Sequence, residues 1–366
     1  GGLDPRWFDY PSLLLYVLAP FQAWQGSPSV LTARVIVVVF GLAALAATWW
    51  LGRRAYGTAA AVVAAAVVAV ETTHVAYSRM AVTDVPLTLG VALALALMVA
   101  GRIELAGLAA GIAMSFKYPG IFLLVPLLFA GWRQWRRLAI GLAASAVAFC
   151  ATSPYFVVHL SSALGDALRV QRLARQGWLG FEHDHVAPIA FLDRLWDGLG
   201  PALLVCILGL VVALVQRRRN DLILASFVIV YFLDLCTLGA HFDRYVLPLV
   251  PALGALAGRM RALVPVTLLL LVVPLTWTIR DDARLTRTDT RVVARAWVER
   301  HVRAETRLAV DPSLPPFTGR FGVVKLDLPL PSEAHPDRDR NLARLRSEDV
   351  RYVIVTGAVA DRVLAA

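Results

Sequence analysis

The sequence predicts a polytopic α-helical membrane protein that carries a small α/β domain at its C-terminal end. Hydrophobic residues fill 58% of the 366 positions and charged residues only 17%. The mean hydropathy is +0.65, and this composition lies outside the range of soluble domains. Charge is concentrated at one end, because residues 280–366 hold 29 charged side chains. The apolar part therefore has lipid as its solvent and the charged end has water.

Ten apolar runs divide the membrane part, and we expect about ten transmembrane helices. Several runs are shorter than the about 20 residues that span a bilayer. The pair on either side of residues 117–120 indicates two short helices or a broken, partly re-entrant pair. The runs are 30–51, 57–73, 84–100, 105–116, 121–131, 137–152, 198–215, 221–239, 246–258 and 262–279. The expected domains are a loop at 1–29, a membrane domain at 30–279 and a soluble domain at 280–366.

Arginines occupy alternate turns between these runs, which sets the orientation. By the positive-inside rule the arginine-rich turns are cytoplasmic, so the other loops and the C-terminal domain are extracytoplasmic. The five arginine-rich turns contain Arg53 and Arg54, Arg102, Arg133 with Arg136 and Arg137, Arg217 to Arg219, and Arg259 with Arg261. The outward segments are 1–29, 72–84, 117–120, 153–197, 240–245 and the tail.

The two longest outward segments contain secondary structure of their own. Residues 161–178 alternate leucines with arginines, as expected for a helix lying in the interface, and Trp178 and Trp196 suit the headgroup level. In the tail, Asp289 precedes an amphipathic helix. Residues 308–310, 323–326 and 352–355 are predicted strands, and 341–346 a further helix.

The net charge of +10 does not indicate nucleic-acid binding. The arginines fall between apolar runs, without a basic stripe or interleaved aromatic residues. Cys150, Cys206 and Cys236 lie in apolar stretches and have no partner at metal-ligand spacing, so each is expected to serve in packing.

Ionisable residues at membrane depth are costly and therefore mark candidate functional sites. Asp84 lies at the outer end of an apolar run. It is either a helix N-cap, with Pro86 in the first turn, or a carboxylate that faces an outward cavity and is balanced by Arg79. Asp9 is either a second site carboxylate or a cap for the apolar segment that begins near Leu13.

The outward turns also supply cations and phenols. Lys117 is one of two lysines against 34 arginines, which hints at a need for a compact ammonium, for example at a phosphate. The alternative is a side chain that snorkels to the interface. Arg244 and Tyr245 add a cation and a phenol, unless Asp243 pairs with Arg244 in an interfacial loop. The further cavity candidates are Tyr10, Tyr118, His241 and Asp243.

A run of four polar residues, 182–185, lies in the long outward loop. Its members His183, Asp184 and His185 have side chains that suit a divalent metal. The alternative is a solvated loop, because neighbouring residues rarely converge on one ion without ligands from elsewhere. The expected reaction requires no cofactor. A divalent metal ion is the alternative to be tested.

Four motifs occur in the order found in a known family. They lie at 8–13, at 77–79 with 83–87, at 107–119 and at 244–251, and the tail segments 296–298 and 351–355 accompany them. With these motifs the chain resembles the dolichyl-phosphate-mannose protein mannosyltransferase-like family of bacterial GT-C enzymes. That family includes protein O-mannosyltransferases and lipid A aminoarabinose transferases.

The resemblance implies an inverting glycosyltransferase of the bacterial plasma membrane. It would move a sugar from a polyprenyl-phosphate donor to a protein, lipid or cell-wall acceptor on the extracytoplasmic face. A carboxylate would accept the acceptor's proton while fixed cations stabilise the departing phosphate. The catalytic candidates are Asp84 and Asp9, and the donor-phosphate candidates are Lys117, Arg244, Tyr245 and Arg79.

Family members carry a further acidic residue just after their first transmembrane helix. Neither that helix nor that residue precedes Gly1, and Asp4 and Asp9 come too late for this position. We therefore expect the native protein to have eleven or more helices, and this fragment to lack its principal carboxylate and to be inactive by itself.

Two other classes of function remain open. A transporter or lipid flippase would also combine broken helices with buried charges, although it predicts internal repeats that this sequence does not show. A non-catalytic relative whose tail binds cell-wall components is the third alternative.

Overall fold

The computed structural model describes residues 3–177, 181, 184–311, 314–326 and 343–357. The chain folds as two compact units. The first contains Gly1–Arg172, Val186–Thr237 and Phe242–Thr278, and the second contains Leu173–His185, Leu238–His241 and Ile279–Ala366. Four residues of the segments considered in the sequence analysis lie outside the described residues: Trp178, Glu182, His183 and Asn341.

Helices account for most of the first unit. In chain order they are α1 (Leu13–Gln25), α2 (Val30–Tyr56), α3 (Thr58–Val70), α4 (Thr72–Ser78), α5 (Asp84–Val99), α6 (Ile103–Phe116), α7 (Leu124–Gly131), α8 (Trp135–Thr152) and α9 (Pro154–Val158). They continue as α10 (Leu160–Gln176), α11 (Ala187–Leu199), α12 (Ala202–Gln216), α13 (Arg219–Leu235), α14 (Val250–Arg259), α15 (Val264–Leu270) and α16 (Val272–Leu285). Short 3-10 helices occur at Tyr118–Leu123, Asp243–Leu249 and Arg261–Leu263.

Two of the predicted apolar runs include or adjoin a sharp bend in the structure. The run 57–73 is divided into α3 and α4, which meet at 62°. Glu71 sits at the bend, where its side chain accepts a hydrogen bond from the backbone N–H of His74 and so caps α4. The run 198–215 begins at a 120° corner between α11 and α12, where Gly200 takes a positive φ of 55°.

Helix length and hydropathy support fewer single crossings than the ten predicted. Among the described residues, two helical segments are long and apolar enough, Val30–Tyr56 and Arg261–His301, and counting each bent pair as one span raises the number to four. The segments Asp84–Val99, Ile103–Phe116 and Tyr118–Gly131 are apolar but shorter. Broken and short helices of this kind survive in a bilayer where protein satisfies the freed backbone groups.

Helical structure also occurs in the predicted outward loops. The loop 1–29 contains α1, whose N-cap position is occupied by Ser12. Asp9 therefore does not cap this helix, and its carboxylate pairs with Arg169 on α10. A helix is found over most of the segment 161–178, as α10, and Trp196, 43% exposed, lies on α11. The interfacial position of α10 stays a prediction.

The packing of α6 against α8 depends on small residues. Gly107 and Gly111 form a GxxxG pair on α6, and a Cβ on either would overlap the backbone of Gly141 or Ser145 on α8. Such close approach is how helices associate where lipid removes the hydrophobic driving force. The contact holds α6, whose C-terminal end leads directly into Lys117.

We expect Gly111→Ala to destabilise the helical unit by about 1–3 kcal/mol, because the added methyl group meets the Ser145 carbonyl. The measurement is the fraction of detergent-solubilised protein that stays monodisperse after heating. Gly165→Ala is the matched control, since a Cβ there meets nothing within 4 Å and alanine favours the helix. Equal behaviour of the two variants would refute the close packing.

The second unit contains a helix and a small parallel sheet. Helix α17 (Thr290–His301) begins at Asp289, whose side chain accepts from the backbone N–H of Arg291, and the hydrogen bond from the Arg291 side chain lowers the pKa of Asp289 to about 2. The strands are β1 (Arg307–Val310), β2 (Gly322–Lys325) and β3 (Tyr352–Ile354), in the order β2-β1-β3 and all parallel.

The secondary structure predicted for this tail is confirmed in its described residues. The three strands and α17 lie where expected, and the described part of the last predicted helix is helical at 343–347. A buried cluster holds them together: Val298, Val302, Leu308, Val310 and Phe321. One helix on a parallel three-stranded sheet is an α/β arrangement.

Candidate active site

The predicted polar residues converge where several helix ends of the first unit meet. Asp84 begins α5, Lys117 follows α6, and Arg244 and Tyr245 lie in the 3-10 helix Asp243–Leu249. Val85 and Leu247, the neighbours of these polar residues, pack with Val37 of α2 in one buried cluster. The apolar cluster fixes the approach of the charged side chains.

Asp84 is the centre of a buried ion pair. Its Oδ1 lies 2.5 Å from Lys117 Nζ and its Oδ2 lies 3.7 Å from Arg244 Nε. The side chains of Lys117 and Asp84 are only 9% and 4% exposed, whereas that of Arg244 is 24% exposed. The carboxylate therefore fixes one buried ammonium and one half-buried guanidinium.

This geometry corrects two alternatives left open by the sequence. Thr83 occupies the N-cap position of α5 and Asp84 is the first helical residue, so the carboxylate of Asp84 is an ion-pair partner and not a helix cap. Lys117 does not snorkel to the interface, because its ammonium is buried against Asp84. The helix begins at a carboxylate, whose charge also suits the N-terminal end of the helix dipole.

Aromatic rings surround the two cations. Lys117 Nζ lies 4.5 Å from the centre of the Tyr245 ring. The Arg244 guanidinium lies 4.4 Å from the Phe242 ring, 5.6 Å from Tyr245 and 6.0 Å from Tyr77. Cation–π contacts of this length stabilise positive charge where water is scarce. The cations are held in place before any anionic ligand arrives.

Asp243, the alternative partner left open for the Arg244 side chain, contacts the Arg244 backbone instead. Asp243 Oδ1 accepts from the Tyr77 hydroxyl at 2.7 Å and from the Arg244 backbone N–H at 2.8 Å. Asp243 thus anchors the start of the 3-10 helix to α4. The guanidinium of Arg244 is left to face Asp84.

A cavity of about 310 Å³ opens beside Asp84 and Arg244, at the lower end of small-molecule sites. Tyr10 lines it, and burial together with the charge of Asp84 raises the pKa of the Tyr10 hydroxyl. The remaining walls are mainly apolar: Trp7, Pro11, Leu14, Leu15, Leu18, Ala81, Val82 and Thr83. Asp84 and Arg244 are the charged residues that line this cavity, and Lys117 is buried against Asp84.

Asp9 and Tyr118 hold the segment that covers the cavity. Asp9 pairs with Arg169, and the Tyr118 hydroxyl donates to the backbone carbonyl of Phe8 at 2.7 Å. Phe8 is itself buried in an aromatic cluster with Phe156. These contacts position the chain from residue 8 to residue 10, which brings Tyr10 to the cavity.

Arg79 and His241 have other surroundings. Arg79 ends α4 and is half-buried, while the ion-pair partners found for Asp84 are Lys117 and Arg244. His241 belongs to the second unit, where its ring nitrogens lie 3.1 Å from Asp184 Oδ2 and 3.1 Å from the Leu238 carbonyl. A role for Arg79 at the donor phosphate stays a prediction, and so does a place for His241 in the cavity.

The metal site expected at residues 183–185 has no counterpart among the residues the structure describes, where no group of three His, Cys, Asp or Glu side chains could hold an ion. Asp184 instead faces His241. Since His183 lies outside those residues, the option of a divalent metal stays a prediction.

Sequence reasoning missed two buried carboxylates, Glu71 and Asp221, each fully buried. Glu71 caps α4 with one oxygen. Asp221 accepts two hydrogen bonds from Arg259. Both are acids at or beside apolar runs, so the cost of charge at membrane depth was the signal that could have found them.

One protein-family model matches more than half of the chain. The family model of Glycosyltransferase family 87 matches residues 7–239, which include Asp84 and Lys117. No curated protein sequence matches the chain.

Solved structures of two proteins, ArnT and AglB, are similar to this chain in fold. The crystal structure of ArnT from Cupriavidus metallidurans in the apo state has a TM-score of 0.60 at 16% identity, covering 96% of this chain and 83% of ArnT. The same protein bound to undecaprenyl phosphate has a TM-score of 0.61 at 16% identity, covering 95% of this chain and 80% of ArnT.

The oligosaccharyltransferase AglB of Archaeoglobus fulgidus, in complex with an inhibitory peptide and a dolichol-phosphate, has a TM-score of 0.52 at 13% identity. The match covers 84% of this chain and 55% of AglB. The GT-C resemblance expected from the motifs is confirmed.

Proposed function

The chain belongs to glycosyltransferase family 87, and we propose that it transfers a sugar from a polyprenyl-phosphate donor to an acceptor outside the cytoplasm. The observation that carries this proposal is the buried Lys117–Asp84–Arg244 group beside a cavity with apolar walls. A phosphate needs cations and a polyprenyl chain needs an apolar surface, and both are present here.

In this proposal the two cations bind the donor phosphate. Arg244 borders the cavity, and the paired N–H groups of its guanidinium match phosphate oxygens. Lys117, which contacts Asp84, adds a second positive charge. During transfer the bond between the anomeric carbon and the phosphate oxygen breaks as the acceptor oxygen attacks from the opposite face. The configuration inverts, and the cations stabilise the charge that develops on the departing phosphate.

Asp84 takes part mainly as a positioning residue, because its carboxylate is already bound to both cations. Asp9 remains the second candidate for a catalytic carboxylate. The reaction also requires a carboxylate that accepts the proton lost by the acceptor. ArnT with undecaprenyl phosphate and AglB with a dolichol-phosphate support a lipid phosphate as the donor.

The proposed location is a bacterial plasma membrane, with about ten crossings and the tail outside the cytoplasm. We expect a cysteine at Arg300 to react with a membrane-impermeant maleimide in intact cells, and a cysteine at Arg136 to react only after permeabilisation. The background is a variant without Cys150, Cys206 and Cys236. The reverse pattern would overturn the orientation.

Label transfer tests the proposed reaction against its alternatives. Membranes that contain the full-length enzyme are incubated with radiolabelled polyprenyl-phosphate sugars, and the label is followed in the protein, lipid and glycan fractions. We expect transfer to an acceptor, retained in the presence of a chelator because the expected reaction requires no cofactor; loss of transfer with the chelator would support the divalent-metal option. Donor lipid that changes leaflet without transfer would support the flippase, and neither outcome would support a non-catalytic relative.

A further inference from the structure

A second cationic cavity lies at the other end of α14, away from the proposed active site. The 3-10 helix that carries Arg244 leads into α14, and α14 ends at Arg259, about 15 Å further along the helix axis. A cavity of about 760 Å³ opens there, bordered by the end of α2 at Tyr56, the end of α12 at Gln216, and Arg218, Arg259 and Arg261.

Arg259 and Gln216, which line this cavity, belong to a network of hydrogen bonds. Arg259 donates to both oxygens of the fully buried Asp221 at 2.8 Å and to Gln216 at 2.7 Å. The Tyr56 hydroxyl also donates to Asp221, at 2.8 Å. Asp221 therefore compensates the charge of Arg259 and fixes its orientation.

The rim of the cavity retains positive charge. Arg218 and Arg261 are exposed, and Arg261 is turned toward the cavity by its hydrogen bond to the Tyr56 carbonyl at 3.3 Å. Val212 and Met260 add apolar surface to the same cavity. Guanidinium groups next to apolar side chains suit a phosphate that is attached to acyl chains.

We propose that this cavity binds the phosphate group of an anionic phospholipid in the leaflet opposite the active site. On the proposed orientation that leaflet is cytoplasmic, and basic pockets between transmembrane helices on that side bind anionic headgroups. The positive-inside rule by itself accounts for arginines in these turns, but it does not require them to share a cavity with a buried acid that fixes one of them.

Native mass spectrometry of the purified protein tests this site without any assay of sugar transfer. The probes are phosphatidylglycerol, phosphatidylcholine and inorganic phosphate. We expect phosphatidylglycerol to be retained in preference to phosphatidylcholine, and not to be displaced by 100-fold excess inorganic phosphate. The Arg218→Gln/Arg261→Gln variant should weaken retention of phosphatidylglycerol by about 30-fold, because two juxtamembrane arginines are removed.

The matched control is Arg102→Gln/Arg136→Gln, which removes two exposed arginines from other arginine-rich turns and should retain the lipid. The single variants Arg218→Gln and Arg261→Gln should each show an intermediate loss. Equal losses of phosphatidylglycerol in both double variants would mean that overall charge, rather than this cavity, retains the lipid, and would overturn the proposal. Displacement by inorganic phosphate would overturn it too, since the ligand would then be a free phosphate.

Discussion

Asp84→Asn should destabilise the helical unit by about 3–5 kcal/mol, because it leaves the buried ammonium of Lys117 without its counter-charge. A helix cap would have survived this replacement, since asparagine also caps. Transfer by the full-length enzyme should fall by about 100-fold or more, the cost of misplacing a binding group by about 1 Å. Thermal stability in detergent and the rate of label transfer are the two measurements.

Two further variants separate the stability effect from the functional effect. Asp84→Asn/Lys117→Met removes both fully buried charges and should recover much of the lost stability, because the cation that still lacks its partner, Arg244, is half-buried and keeps contact with water. Its transfer rate should stay low, since Lys117 is absent. Asp84→Glu keeps the carboxylate and should retain more activity than Asp84→Asn. Normal transfer by a well-folded Asp84→Asn protein would contradict the role proposed for this ion pair.

Arg244→Gln should weaken binding of undecaprenyl phosphate by about 10- to 100-fold, the range for losing a hydrogen bond to a charged group. It should lower the transfer rate by about 100- to 1,000-fold if the guanidinium stabilises the departing phosphate. Its effect on stability should be smaller than that of Asp84→Asn, because Arg244 is half-buried and borders the cavity. Binding is measured by native mass spectrometry and the rate by label transfer.

Arg172→Gln is the matched control for Arg244→Gln. Arg172 is exposed on α10 and belongs to a predicted outward segment, so its loss removes the same charge from the same predicted face. We expect it to bind undecaprenyl phosphate and to transfer sugar normally. Similar losses in both variants would mean that general charge attraction, rather than the cavity, recruits the donor.

The elements best predicted from the sequence are those fixed by local pattern. Helix α17 has a capping aspartate and one apolar face, and β1 to β3 have short apolar runs that end in polar or turn residues. The bends were missed because hydropathy averages across them. Glu71 and Gly200 each mark a change of chain direction, and each bent helix pair still passes as one apolar stretch when its hydropathy is averaged.

The candidate site, too, was predicted only in part from the sequence. The cost of charge at membrane depth identified Asp84, Lys117 and Arg244 as candidates. The pairing itself depends on how α5 and α6 pack, which no local pattern in the sequence reveals. Arg79 is close to Asp84 in sequence, and yet Lys117, 33 positions away, is the residue that meets its carboxylate.

The position of the donor phosphate tests the central claim most directly. A cryo-EM map of the protein with undecaprenyl phosphate should place the phosphate within hydrogen-bonding distance, about 3 Å, of the Arg244 guanidinium. The first isoprene units should then lie along Leu14 and Leu18 in the cavity. A phosphate bound elsewhere, with the cavity beside Asp84 and Arg244 empty at saturating lipid, would contradict the proposed donor site.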